Sequence, residues 1–183
     1  MPIENEVKFV LDLVDPAESL QELISRNKYS SIYQCYIFKR KNVNCRIRKL
    51  TKNCGDSEYT MTTKVLLPEH LRSNNETIEI ESKLDINEFV DISHIGKNHV
   101  EKIRVYVEDW EVDFFFDKMN RIYFVMAEHE MPSGQKFPNN ITQFVKDNLL
   151  YVVEKNDKRF SSRKLSKVGR SKRLLKELRS KKA

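Results

Sequence analysis

The sequence predicts an α+β protein, mainly antiparallel β. Three observations carry this. Eight short stretches alternate β-branched or aromatic residues with polar ones, the period-2 pattern of half-buried strands. Two capped helices interrupt them. Within the strands, the charged residues fall two apart, so that each strand presents its charges on a single side.

In chain order, strands are predicted over residues 3–10, 31–38, 44–50, 59–66, 76–83, 100–107, 110–116 and 123–131. Asp15-Pro16-Ala17-Glu18 offers an N-cap, a first-turn proline and a capping-box glutamate, with Leu20, Leu23 and Ile24 on one face of the helix that follows. Asp85-Ile86-Asn87-Glu88 repeats the device ahead of Phe89, Ile92 and Ile95, and Gly96 stops that helix. A third helix is predicted over 141–149, and residues 161–180 read as one or two basic helices. The division expected is a body over 1–166 and a basic helical tail over 167–183.

The charges carry the most information. Glu4, Glu6 and Lys8 share a face, with Val7 and Phe9 opposite. Arg46 pairs with Arg48, Glu79 with Glu81, Lys102 with Arg104, Glu111 with Asp113 and Glu128 with Glu130, while Lys64 ends the run Thr60-Met61-Thr62-Thr63-Lys64. A solvated sheet face ordinarily mixes Thr, Ser, Gln and Lys. Here the pairs are mostly like-signed, and like charges on one face repel unless a compensating charge lies between them. A polyanion carrying divalent cations would supply that charge: basic side chains hold phosphate oxygens and carboxylates hold Mg²⁺ or Mn²⁺.

Taken in order, these segments resemble the CYTH superfamily, the triphosphate tunnel metalloenzymes. Glu4-Asn5-Glu6-Val7-Lys8 matches its E-x-E-x-K signature. Tyr33-Gln34-Cys35-Tyr36, Arg46-Ile47-Arg48, Thr62-Thr63-Lys64, Glu79-Ile80-Glu81, Glu101-Lys102-Ile103-Arg104, Trp110-Glu111-Val112-Asp113, Ala127-Glu128-His129-Glu130 and Asp157-Lys158-Arg159-Phe160-Ser161 are similar to its later segments. The resemblance covers residues 3 to 166 and is nearest to the bacterial and plant short-chain inorganic triphosphatases. It implies a closed tunnel of about eight strands, with a charged interior and helices packed outside, plus a basic C-terminal helix. It departs from the family at Thr77, where an arginine is usual, in the longer segment 138–151, and at Lys155-Asn156.

The resemblance implies metal-dependent hydrolysis of a linear triphosphate, inorganic tripolyphosphate or a nucleoside triphosphate, by metal-activated water attack. Carried over residue by residue, Glu4, Glu6, Glu128 and Glu130 ligate Mg²⁺ or Mn²⁺. Lys8, Arg46, Arg48, Lys64, Lys102 and Arg104 grip phosphates, and Asp113 orients a basic residue or binds metal. Glu79 and Glu81 are possible further members of the site. The alternatives are a class IV-like adenylate cyclase, releasing pyrophosphate and a cyclic nucleotide, and a non-catalytic polyphosphate- or RNA-binding module. His129, between Glu128 and Glu130, points to the opposite face and reads as structural, and Trp110 as an apolar core residue.

The net charge of +6 conceals an asymmetry: residues 155–183 hold 13 Lys/Arg against Asp157 and Glu177, a net of +11, and the remainder carries −5. The tail therefore reads as a solvated helix, a tunnel plug, or an electrostatic contact for RNA or another polyanion. Three cysteines with no ligand partners at metal spacing read as reduced cytosolic thiols. With no apolar run long enough to span a bilayer and no apolar stretch in residues 1–9, a cytoplasmic protein is expected, monomeric or homodimeric, with no membrane partner.

Overall fold

The computed structural model of the chain describes residues 5–40, 42–66, 77–132, 134–154 and 157–182. Glu4, His70, Lys155 and Asn156 lie outside them. The strands are β1 (Glu6–Leu11), β2 (Tyr29–Lys39), β3 (Val43–Lys52), β4 (Ser57–Leu66), β5 (Thr77–Lys83), β6 (Lys97–Val107), β7 (Trp110–Phe116), β8 (Ile122–Glu130) and β9 (Leu149–Val152). The helices are α1 (Pro16–Arg26), α2 (Ile86–Ile95), α3 (Gln143–Asp147), α4 (Ser162–Leu165) and α5 (Val168–Lys182). A 3-10 turn, Lys158–Phe160, precedes α4.

The α+β, antiparallel expectation holds. The strands form one nine-stranded sheet in the order β5-β4-β3-β2-β6-β7-β8-β1-β9, and every paired neighbour is antiparallel. The sheet is not closed: β5 and β9 stand at its two edges, and no ladder joins them among the described residues. Eight of the nine strands fall where alternation placed them. The ninth, β9, lies in a segment read as helical to residue 149, because Leu149-Leu150-Tyr151-Val152 is short and apolar without alternation. α3 ends at Asp147, and β9 then pairs with β1. The long 138–151 segment thus adds a short helix and an edge strand.

The helix starts follow local chemistry. Asp15 accepts from the backbone N–H groups of Ala17 and Glu18 at 2.9 and 3.0 Å, and Pro16 opens α1. Asp85 and Glu88 form a reciprocal capping box at the start of α2. Gly96 ends α2 against Cys35, and a Cβ at that position would run into the Cys35 sulfur.

The two faces of the sheet have different covers. On one, Val7, Phe9, Leu11, Val105, Val112, Phe114 and Ala127 pack beneath Leu20 and Leu23 of α1 and Val145 of α3. Phe89 of α2 covers Cys35 and Ile47 on the same side. Trp110 is buried here and stacks on His129, whose Nδ1 lies 2.9 Å from the Asp109 carbonyl oxygen, so both sit among the core residues away from the charged face.

The opposite face carries the charges at one end and an apolar cluster at the other. Val10, Val100, Phe115, Phe124 and Met126 share strand parity with Lys8, Lys102, Asp113 and Glu128. They pack against Phe160, Leu165, Leu174 and Leu178. The C-terminal helices therefore lie on the charged face rather than outside it with α1–α3. Tyr123 Oη and Ser171 Oγ both donate to the Leu165 carbonyl at 2.9 Å, and Arg179 reaches back to Asp12 at 2.6 Å. The 15-residue α5 is basic on its outer surface and anchored by leucines underneath.

Cys35, Cys45 and Cys54 are free thiols, the first two buried. No helix among the described residues is long and apolar enough to cross a membrane.

Candidate functional site

The register brings nearly all the charged candidates onto one face. Glu6 lies opposite Glu130 and Lys8 opposite Glu128 across the β1–β8 ladder. Glu111 faces Glu128 across β7–β8, and Asp113 faces Arg104 across β6–β7. On the other side of β2, Arg46 lies opposite Tyr36 and Thr62, Arg48 opposite Gln34 and Thr60, and Lys64 opposite Glu79. Glu4 lies outside the described residues. In a flat sheet β3 and β7 would stand about 14 Å apart, three strand spacings. Arg48 nevertheless feels the charges of Arg104 and Asp113.

Around β1, β6, β7 and β8 the cations are all taken up by carboxylates. Lys8 Nζ bridges Glu6, at 2.8 Å, and Glu128. Burial alone would lower the Lys8 pKa, but the two carboxylates outweigh it and raise it. Arg104 forks onto Asp113 at 2.7 and 2.8 Å, reaches Glu128 at 2.8 Å and pairs with Glu111. Lys102 Nζ also pairs with Asp113, beneath the ring of Phe115.

Lys102 and Asp113 are both closed off from solvent, at 3% and 0% exposure. Burial would raise the Asp113 carboxyl, yet Lys102 and Arg104 hold it down at about 2. Burial lowers the Lys102 ammonium to about 8 despite Asp113, and the neighbouring Arg104 cation adds to the lowering. As placed, Lys102 and Asp113 orient Arg104 rather than line an open surface.

Around β3 the balance is opposite. Among the described residues Arg46 pairs with one carboxylate, Glu79 at 3.8 Å, which Lys64 already holds at 3.1 Å. Glu81 accepts from Thr62 at 3.1 Å. The buried Nε atoms of Arg46 and Arg48 have no hydrogen-bond partner among the described residues. Burial, with Arg46 and Arg104 beside it, lowers the Arg48 guanidinium to about 10. The Tyr36 hydroxyl accepts from Gln34 Nε2 at 3.0 Å. Burial raises its pKa, and the cations of Arg46, Arg48 and Arg163 pull it back.

Arg163, on α4, was not among the sequence candidates, and its Nε is likewise buried without a partner. Its only sequence signal was membership of a basic tail; the fold of α4 onto β6 and the turn is what brings it to Tyr36. Tyr36 and Gln34 lay inside a recognised segment but carry no charge to single them out.

The carboxylates of Glu6, Glu128 and Glu130 are hard oxygen donors on facing positions and suit Mg²⁺ or Mn²⁺ in kind. With the side chains as placed, no group of three His, Cys, Asp or Glu among the described residues is gathered tightly enough to hold a metal, and Lys8 stands between two of the carboxylates.

No family model matches the chain, and no curated protein matches it. Among solved structures it is similar to the PH1819 protein from Pyrococcus horikoshii OT3. That similarity has 16% identity over 96% of this chain and 89% of the other, with a TM-score of 0.44.

Proposed function

We propose that the charged face binds a linear triphosphate and hydrolyses it to orthophosphate and a diphosphate product, as the CYTH resemblance implies. The observation that supports this most is the pair Arg46 and Arg48. Two half-buried guanidiniums side by side, each with its Nε–H unpartnered among the described residues and no close carboxylate, are costly unless an anion completes them. Phosphate oxygens suit planar guanidinium donors, and Lys64 on the neighbouring strand adds a point charge.

In this reading Arg46 and Arg48 hold the inner phosphates. Arg104, fixed by Asp113, faces charge that develops on the transferring phosphoryl group without having to reorganise. Lys8 turns its Nζ from the Glu6–Glu128 bridge towards the phosphate and so frees both carboxylates. Glu6, Glu128 and Glu130, with Glu4, would hold Mg²⁺ or Mn²⁺, which neutralises phosphate charge and lowers the pKa of attacking water. Water oxygen bonds to the terminal phosphorus as the anhydride P–O bond breaks, the water's proton passes to solvent, and the leaving oxygen departs with the bonding electron pair into the arginine side. A sheet that closes into a tunnel around the bound chain would exclude bulk water from this reaction.

The test is incubation with tripolyphosphate, ATP, GTP or thiamine triphosphate, each with Mg²⁺ or Mn²⁺, and identification of all products. Orthophosphate, abolished by EDTA and by Glu130→Gln, is expected. Pyrophosphate with a cyclic nucleotide would replace hydrolysis by cyclisation, and full activity in Glu130→Gln would sink the carboxylate assignment.

A further inference from the structure

The arginine side of the charged face does not end at Arg46. Arg163 stands beside Tyr36, and beyond it Lys39, at the end of β2, feels Arg163, Lys164 and Lys158. Burial and these three cations together push the Lys39 ammonium down. Lys158 and Lys164 in turn line a cavity of about 600 Å³ between the 3-10 turn, α4 and α5, whose far wall holds Arg170 and Arg173. The two carboxylates of that cavity are already engaged: Asp157 by Arg159 at 2.7 Å, and Glu177 by Lys181 at 2.9 Å. Lys158, Lys164, Arg170 and Arg173 have no carboxylate partner among the described residues. A file of unpaired cations thus runs from the buried guanidiniums to an open cavity, a distribution that repels itself unless a chain of negative charge lies along it.

We propose that this cavity is a second phosphate site, continuous with the first, which holds the outer units of a phosphate chain longer than a triphosphate; the preferred ligand is inorganic polyphosphate. This rests on the reading of the charged face given above. Three features favour a bare phosphate chain over a nucleic acid. The cavity walls are charged apart from Ser171 and Leu174 and contain no aromatic side chain on which a base could stack. Phe160, next to the lining residue Arg159 in the chain, is buried and stacked on Tyr151, at 5.8 Å and 26° between planes. Arg163 Nε, buried and unpartnered, sits between the two groups of cations, where a continuous anion would complete it. Leu174 and Leu178 pin α5 to the sheet, so Arg170 and Arg173 are presented from a fixed helix rather than a loose tail.

The experiment compares Kd values for tripolyphosphate, medium-chain inorganic polyphosphate and single-stranded RNA. It uses the full chain, Arg170→Ala/Arg173→Ala and Arg48→Met, at several salt concentrations. Both residues of the double variant are exposed, so the fold tolerates their loss. Polyphosphate is expected to bind the wild-type chain more tightly than tripolyphosphate and with a steeper salt dependence. The double variant is expected to lose roughly tenfold in polyphosphate affinity and less than twofold for tripolyphosphate.

If tripolyphosphate binds through Arg48 but polyphosphate binds no better, or the double variant leaves it unchanged, the second site is overturned and the first stands. If neither anion binds, or Arg48→Met affects neither, the reading of the charged face falls and this inference with it. RNA that binds more tightly than polyphosphate and depends on Arg170 and Arg173 would overturn the assignment to a base-free chain.

Discussion

The two halves of the charged face follow the same strand alternation and have opposite electrostatics. Around β1, β7 and β8 each described carboxylate except Glu130 has a cation against it: Glu6 and Glu128 share Lys8, while Asp113, Glu111 and Glu128 share Arg104. Around β3, Arg46 has one carboxylate, at 3.8 Å, and Arg48 has no ion pair among the described residues and feels Asp113 and Glu81 only at longer range. The first half is paired within itself and holds more carboxylates than cations, and the second holds more cations than carboxylates. Alternation places a charge on a face; only the sheet order decides whether it meets its opposite there. β2, which separates β3 from β6, presents Ser30, Ile32, Gln34 and Tyr36 to this face and so contributes no acid to the arginines.

The contrast is sharpest under substitution. Asp113→Asn should be the most damaging single change, because it strands Lys102 in a buried site and takes from Arg104 the carboxylate it forks onto; a loss of about 3–5 kcal/mol in urea denaturation is expected. A loss below about 1 kcal/mol would mean that solvent reaches the pair and that the paired half is not a buried network.

Arg48→Met should do the reverse. It removes an unpaired desolvated charge, so stability should hold or rise by about 1 kcal/mol. Tripolyphosphate affinity should fall by about 2 kcal/mol, some thirtyfold, in calorimetry. Reduced stability with unchanged affinity would assign Arg48 to the scaffold instead.

Acid titration separates the halves again. The Asp113 carboxyl titrates at about 2 in the folded chain against 3.8 ordinarily. Its contribution, about 2 kcal/mol, is therefore fully present above pH 3.8 and is lost as pH falls towards 2. Asp113→Asn should abolish that part of the acid limb. An unchanged limb in the variant would show that other carboxylates govern it.

The smallest effect belongs to the exposed pair Lys52–Glu58 on the β3–β4 hairpin. Lys52→Ala should leave the denaturation midpoint where it was, and a clear drop would mean that surface pairs matter here as much as buried ones.

The strands and the faces were legible because alternation is a local signal. Lys8, Arg46, Arg48, Arg104, Asp113 and Glu128 all fell on the face that the sequence assigned them. What was not legible depended on distant pairing. β9 joins the sheet through β1, more than 130 residues earlier in the chain, with no alternation of its own. Arg163 owes its place to the packing of a four-residue helix under Tyr123 and Ser171. The leucines of α5 were visible in the sequence, but the surface they would cover was not. The burial of Lys102 with Asp113 likewise depends on Phe115 closing over them, a contact between neighbouring strands that a single strand's pattern does not contain.

The central claim is that the arginine half is completed by a phosphate chain. It is tested most directly by thermal unfolding of the wild-type chain and of Arg46→Met/Arg48→Met, each with and without tripolyphosphate. The account predicts that tripolyphosphate raises the wild-type Tm by several degrees and leaves that of the double variant unmoved, with both proteins folded in its absence. A rise of equal size in both proteins, or none in the wild type, would contradict it.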